Sequence, residues 1–376
     1  MRIAVISLNT ENKNLSKYYN SQAEGLAKAL AGMGHELTVY HPVPDLGQER
    51  ESIMKKTVRI EYIRCRHIGK HALINLSMLD AYKDCYITAS DNYLFLGSFY
   101  RWCRKNKILC LPYIGVIHSN NSSPIKRKAV DIFCNNVKYY KRMPTVVKTP
   151  ALEQDLRNKG AKQLFCVPVG LDMELLRQDY KAYPVKSLKE EWHYGERDKI
   201  ILFVGRMTSE KQPEKMIDIF KKMYAQDSAY RLLMVGQGEL LENVKSKIAV
   251  CGLEDKVSIY EKVPNDRMWE LYCLSECYIN LNTHEIFGMA ILEAMYYENV
   301  VIALRAPGPE LIIDNNKSGY ICDSQEALIQ KALVADKKET GAAAHCHVTE
   351  HFLWESAAKK LESIICNIIE QQRSQI

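Results

Sequence analysis

Asn282-Thr283-His284-Glu285-Ile286-Phe287-Gly288-Met289-Ala290-Ile291-Leu292-Glu293-Ala294-Met295 places two carboxylates, Glu285 and Glu293, on either side of a Phe-Gly pair. The apolar stretch from Cys277 to Asn282 reads as a short buried strand, and Met289 to Met295 reads as a helix. Glu285 then stands on the loop leaving the strand, and Gly288 opens the helix. A helix N-terminus offers unpaired N–H groups and positive potential, so the backbone at Gly288, Met289 and Ala290 suits an anion. Glu293 lies two turns further in, where a carboxylate is costly unless it bonds a partner such as a hydroxyl. Taken alone, the pair also fits a capped helix with two solvated acids.

Working outward, Phe203-Val204-Gly205-Arg206 with Lys211 follows one apolar run, and Met234-Val235-Gly236-Gln237-Gly238 ends another. Pro309-Glu310-Leu311-Ile312 and the segment from Asn315 to Gly319 follow the acidic motif. In this order the stretches resemble the donor half of the retaining family-4 glycosyltransferases (glycosyl transferases group 1). The resemblance implies an α/β chain of the GT-B type. It would have two facing Rossmann-like domains with parallel sheets and a C-terminal helix crossing back. It also implies a sugar transferred from a UDP- or GDP-type donor to a hydroxyl acceptor with retained configuration, as in cell-surface polysaccharide or glycoconjugate synthesis.

That resemblance assigns roles. Arg206 and Lys211 meet the diphosphate, Glu285 the sugar hydroxyls, and Glu293 the ribose. Gly205, Phe287, Gly288, Met289 and Ala290 line the donor, and the base rests near Lys262-Val263. His118, after the apolar run from Ile108 to Ile117, matches the histidine that contacts the donor sugar. No Asp-x-Asp occurs, so the expectation is metal-independent transfer with no cofactor, the nucleotide sugar being a substrate. The alternatives are a nucleotide-sugar-binding scaffold subunit and a GT-B epimerase. A scaffold would be expected to have lost Arg206, Lys211 or Glu285, and all three are present.

The rest of the chain agrees with two α/β domains. At 376 residues with 47% hydrophobic and 26% charged content, there is enough chain for two cores. The expected division is 1–180, joined by the C-terminal helix near 360–376, and 181–359, with a polar linker from Gln178 to Lys199. In the first part, strands are read at Arg2–Leu8, Glu36–Tyr40, Thr57–Ile63, Cys85–Ala89, Ile108–Ile117, Pro144–Lys148 and Leu164–Val169, with a helix at Asn20–Met33. The loop from Asn9 to Asn14 lacks Gly-x-Gly-x-x-Gly, which argues against a nicotinamide enzyme. Asn20-Ser21-Gln22 stands where the resembled family carries a Gly-Gly pair.

In the second part strands are read at Ile200–Val204, Tyr230–Val235, Val257–Tyr260 and Val300–Ala303. Helices start at Lys211, Glu239, Asn265 and Gln325, and a final one runs from Phe352 to Ile369. No apolar run reaches the roughly 20 residues a membrane helix needs. Met1 to Leu8 reads as a strand rather than a leader. The twelve cysteines are scattered without a Cys-x-x-Cys pair, which fits a reducing cytoplasm. His345-Cys346-His347 is a poor tetrahedral set, and no metal site is expected.

Net charge is +6, and much of it is concentrated between Phe99 and Arg142. There Arg101, Arg104, Lys105, Lys107, Lys126, Arg127, Lys128, Lys138, Lys141 and Arg142 interleave with aromatic residues. No nucleic-acid-binding module accompanies them. The window suits either a solvated face or an anionic membrane surface. The expected partners are therefore a nucleotide-sugar donor and a glycan, lipid-linked or other hydroxyl acceptor. The expected place is the cytoplasm, peripheral on the inner face of the membrane.

Overall fold

The first strand, β1 (Arg2–Ile6), is rich in Ile and Val because it lies inside a parallel sheet whose two faces are covered. The computed structural model describes residues 1–11, 21–89, 91–118, 131–132 and 134–374. Among them the chain divides into two compact units. One runs to Gly170 and takes in Trp354–Ile376, and the other is Leu171–Leu353. The expected linker at 178–199 therefore belongs to the second unit. It carries the helix Val185–Glu191, where Leu188 and Lys189 are buried and Lys189 donates to the Asp198 carbonyl at 2.7 Å. Its polar composition hid one buried turn.

In the first unit β1 pairs with β2 (Glu36–Val43), which pairs with the strands that follow it, β3 (Arg50–Lys55) and β4 (Val58–Arg64), through β4. A small two-stranded piece, β5 (Arg66–Ile68) and β6 (His71–Leu73), follows. The other side holds β7 (Cys85–Thr88), β8 (Leu109–Ile114), β9 (Thr145–Val147) and β10 (Leu164–Cys166). The order is β10-β9-β8-β7-β1-β2-β4-β3, parallel except for β3. The sequence reading missed β3 because an edge strand that alternates exposed with half-buried residues carries little apolar signal. The strand expected to reach Ile117 stops at Ile114, because Asp91 Oδ1 takes the N–H groups of Gly115 (2.5 Å) and Val116 (3.2 Å) and bends the chain.

The second unit has one parallel sheet of β11 (Lys199–Val204), β12 (Tyr230–Val235), β13 (Val257–Tyr260), β14 (Cys277–Asn280), β15 (Val300–Leu304) and β16 (Tyr320–Cys322). Their order is β13-β12-β11-β14-β15-β16. Strand order reverses between β11 and β14, and open α/β sheets bind ligands at the carboxyl edge of such a switch point. Apolar side chains of β11, β12 and β14 pack against the helix Pro213–Gln226 through Met216, Ile217 and Phe220.

The final helix starts at Trp354, not Phe352, and runs to Ser374. The break comes where Leu171 N–H donates to the Phe352 carbonyl at 2.8 Å and ends the helix Lys337–His351. The last helix packs in the first unit against Gln22–Gly32, with His35 Nε2 2.8 Å from Glu362 Oε1. A β-carbon at Gly25 would lie 2.4 Å from Trp354 Nε1, whereas one at Gly32 would meet nothing within 4 Å. Gly25→Ala should therefore destabilise the first unit by about 1–3 kcal/mol in urea unfolding. Gly32→Ala should be neutral or add up to ~1 kcal/mol. Equal responses would contradict this packing of Trp354.

Candidate functional site

At the carboxyl end of β14 the backbone turns twice through asparagine side chains. Asn280 Oδ1 accepts from Asn282 N–H at 2.9 Å, and Asn282 Oδ1 accepts from His284 N–H at 2.9 Å. Such side-chain turns favour Asn because its short amide imitates a peptide group. They deliver Glu285 to a fixed place. Its Oε2 accepts from Asn280 Nδ2 and Asn282 Nδ2, each at 3.3 Å, and from Lys211 Nζ. Gly308 N–H donates to the Glu285 carbonyl at 2.7 Å, and a β-carbon at Gly308 would lie 2.3 Å from the Phe287 carbonyl oxygen. Only glycine lets that loop close on the motif.

Lys211 comes from the connection after β11. Gln212 adopts a left-handed conformation (φ 55°) and caps the helix Pro213–Gln226, while its Nε2 donates to the Leu281 carbonyl at 2.6 Å. The helix expected from Lys211 therefore starts two residues later, leaving the lysine on the turn. Gly205 and Gly236 meet: a β-carbon at Gly236 would lie 1.9 Å from the Gly205 carbonyl oxygen. The two glycine turns thus pack backbone on backbone beside the lysine. Arg206 has a side chain 68% exposed, with Glu210 3.5 Å away.

Gly288 has φ 100° and opens the helix Met289–Tyr296, whose N-terminus carries no side-chain cap. Met289 and Ala290 are half-buried there, Phe287 is buried against Phe352, and Val263 is buried beyond the end of β13. Within this helix Glu293 is partly buried, and its Oε2 accepts from Tyr272 Oη at 2.9 Å. Burial pushes the Glu293 carboxyl up to about 7, against the opposing effect of the tyrosine hydrogen bond. Lys211 and Glu285 are thus in contact, with Glu293 on the helix that the same loop opens.

His118 belongs to the first unit, just beyond β8, with an exposed side chain whose Nδ1 is 3.7 Å from Asp131 Oδ2. Its neighbours Ser119 and Asn120 lie outside the described residues. Sequence reasoning quoted Asn280 and Asn282 only as strand residues, although an Asn-x-Asn at a strand end is itself a turn signal. It had no signal for Gln212 or Tyr272, whose contacts depend on register between distant elements. His345 Nδ1 donates to the Tyr296 carbonyl at 2.5 Å. Among the described residues no three His, Cys, Asp or Glu side chains converge as a metal would require.

Residues 185–339 match the family profile of glycosyl transferases group 1. N-acetyl-alpha-D-glucosaminyl L-malate synthase of Bacillus anthracis is 25% identical over 202 residues, 52% of this chain and 52% of that protein. The chain thus spans about half the length of the curated relatives it matches. Sucrose-phosphate synthase from Thermosynechococcus elongatus superposes with a TM-score of 0.75 at 17% identity, covering 98% of this chain and 99% of that one. Anabaena Alr3699/HepE in complex with UDP superposes with a TM-score of 0.71 at 13% identity, over 98% and 100%.

The fold is that of the GT-B proteins, with two Rossmann-like units. The match to glycosyl transferases group 1 lies within the second unit.

The state of Glu293 gives a stability prediction. Its folded carboxyl titrates at about 7 against an ordinary 4.5, so the fold prefers the protonated form. That preference contributes fully below pH 4.5 and is lost as pH rises through 7. Glu293→Gln, which cannot ionise, should stabilise the free protein by about 3 kcal/mol at pH 8 and by little at pH 4.5. Urea unfolding at the two pH values checks this, and an equal gain at both would contradict it.

Proposed function

We propose that the protein transfers a sugar from a nucleoside diphosphate sugar to a hydroxyl acceptor, with retention of anomeric configuration as in the family-4 enzymes. The observation that carries this reading is the convergence of Lys211 on Glu285 beside two interlocked glycine turns and an uncapped helix N-terminus. The UDP in the Anabaena structure supports a nucleotide on this fold. The anomeric carbon exchanges its bond to the β-phosphate oxygen for one to the acceptor oxygen, and the hydroxyl proton leaves with the diphosphate. Negative charge grows on that phosphate, so the cations and N–H groups must lie ready around it.

Lys211 supplies a point charge and Arg206 a planar fork. The N–H groups at Gly288, Met289 and Ala290 add the helix-terminus contribution. In the free protein Glu285 neutralises Lys211 and so holds the lysine in place until a diphosphate takes it over. Glu285 then accepts from sugar hydroxyls and Glu293 from the ribose. The base lies near Val263, and Gly205 and Phe287 shape the walls. Arg206 and Lys211 take the place of a divalent ion, so transfer needs no metal.

Lys211→Ala and Arg206→Ala should each lower turnover by roughly 10²–10³ while leaving the protein folded, measured as nucleoside diphosphate release in the presence of acceptor. Near-normal turnover in both would overturn the phosphate assignment. Turnover should survive EDTA, and loss restored by Mg²⁺ or Mn²⁺ would contradict the metal-free reading.

The acceptor side carries the basic surface of the first unit. Arg101, Arg104 and Lys105 are exposed on the helix Leu96–Lys105, with Arg104 5.9 Å from the Tyr100 ring centre. Lys138, Lys141 and Arg142 are exposed nearby in sequence, whereas Lys126, Arg127, Lys128 and Phe133 lie outside the described residues. Among the described residues no helix is long and apolar enough to cross a membrane. This surface suits reversible attachment to an anionic bilayer, at about 1 kcal/mol for each cation near it. Co-sedimentation should require anionic vesicles, weaken with salt, and fall when Arg101 and Lys105 become Glu. Equal sedimentation with neutral vesicles would leave the patch as solvated surface.

A further inference from the structure

Tyr272 lies on the helix Asn265–Leu274, 1% exposed, with its hydroxyl 2.9 Å from Glu293 Oε2. Its placement is heavily constrained. Its ring stacks on Tyr297 with centres 5.9 Å apart and planes 12° apart. Its own carbonyl accepts from Asn299 Nδ2 at 2.5 Å, and Tyr297 Oη accepts from Arg177 N–H at 2.9 Å. Among the described residues nothing hydrogen-bonds Glu293 Oε1, while the residue keeps partial exposure. One carboxylate oxygen is therefore tied to the protein and the other is available.

We infer that Tyr272 is a positioning residue: it fixes Glu293 through Oε2 so that Oε1 alone accepts a ribose hydroxyl of the donor. This rests on the proposed reading of Glu293 as the ribose contact. A phenol cannot accept a proton from the carboxyl and still donate to it, so its O–H favours the carboxylate form. A ribose hydroxyl donating to Oε1 favours the same form. Binding then drives the proton from Glu293 into solvent, and donor affinity is coupled to pH. The other titratable groups around this carboxyl are Tyr278 from β14 and Tyr297 beyond its own helix, both in contact with its field, with Glu285 acting on Tyr278. His345, on the helix packed behind, is engaged with the Tyr296 carbonyl. The tyrosines stay neutral below pH 9, since burial pushes both hydroxyls up. Of the carboxyl and the two phenols, Glu293 is the group that changes charge near neutrality.

The test is titration calorimetry of the full chain with UDP, and with GDP in parallel, from pH 5.5 to 8.5 in buffers of different ionisation heat. For the nucleotide that binds, wild-type affinity should rise through about pH 7 with release of a proton. Glu293→Gln should bind more weakly and keep only the dependence of the nucleotide's own phosphate, near pH ~6. Tyr272→Phe keeps the ring stack but removes the donor, so the carboxyl should titrate higher. Affinity at pH 7 should then drop by roughly tenfold, the scale of one hydrogen bond to a charged group, and the loss should close by pH 8.5. A loss of the same size at every pH would make Tyr272 merely structural and overturn the inference. A Glu293→Gln protein that binds as wild type does would instead remove the ribose reading, and the inference with it.

Discussion

Lys211 and Glu285 reach each other from two different strand-to-helix connections, and the carboxyl edge of the second sheet is arranged around that contact. The pair can form because β11 and β14 are neighbours, so the loops that follow them emerge side by side. A lone cation or carboxylate at a half-buried edge would cost free energy, and each satisfies the other. The two asparagines at the end of β14 hold the carboxylate when the lysine turns elsewhere. The proposed function uses this pair as a holding arrangement: a diphosphate would take over Lys211 and leave Glu285 on the Asn280 and Asn282 amides.

Glycine makes the closeness possible. Gly236 lies against the Gly205 carbonyl and Gly308 against that of Phe287, at distances no β-carbon could share. Backbone therefore lies against backbone beside Lys211, and the N–H groups of Gly205, Gly236 and Gly308 are taken by the carbonyls of Val235, Tyr260 and Glu285. The helix opened by Gly288 has no side-chain cap, which leaves its first N–H groups without a side-chain acceptor.

Much of the second unit was legible in the sequence. Its strands are continuous apolar runs ending in glycine or asparagine turns, which are local signals. Glu285, Glu293 and Lys211 were singled out by the resemblance of their motifs to the family-4 enzymes, since the spacing alone also fits a capped helix. The helix of residues 185–191 was not legible, because one buried leucine in a charged segment resembles a linker. Nor was β3, whose partner β4 supplies the order its own side chains lack. Tyr272 was out of reach for a different reason. Its meaning comes from the register of two helices, and it lies far from Glu293 in sequence. Tyr296 and Tyr297 form an aromatic pair after the acidic motif. It proves to be packing, since both rings are buried and meet Tyr180.

Whether the second unit takes up a nucleoside diphosphate is the claim on which the rest turns. Thermal unfolding with a panel of nucleoside diphosphates and their sugars tests it most directly, since a ligand at ~100 times its dissociation constant adds about 2.7 kcal/mol. At least one should raise the unfolding midpoint of the wild-type protein, and the gain should shrink in the Lys211→Ala variant. If no member of the panel shifts the midpoint, or if the shift is unchanged without Lys211, the site drawn around the Lys211–Glu285 pair is contradicted.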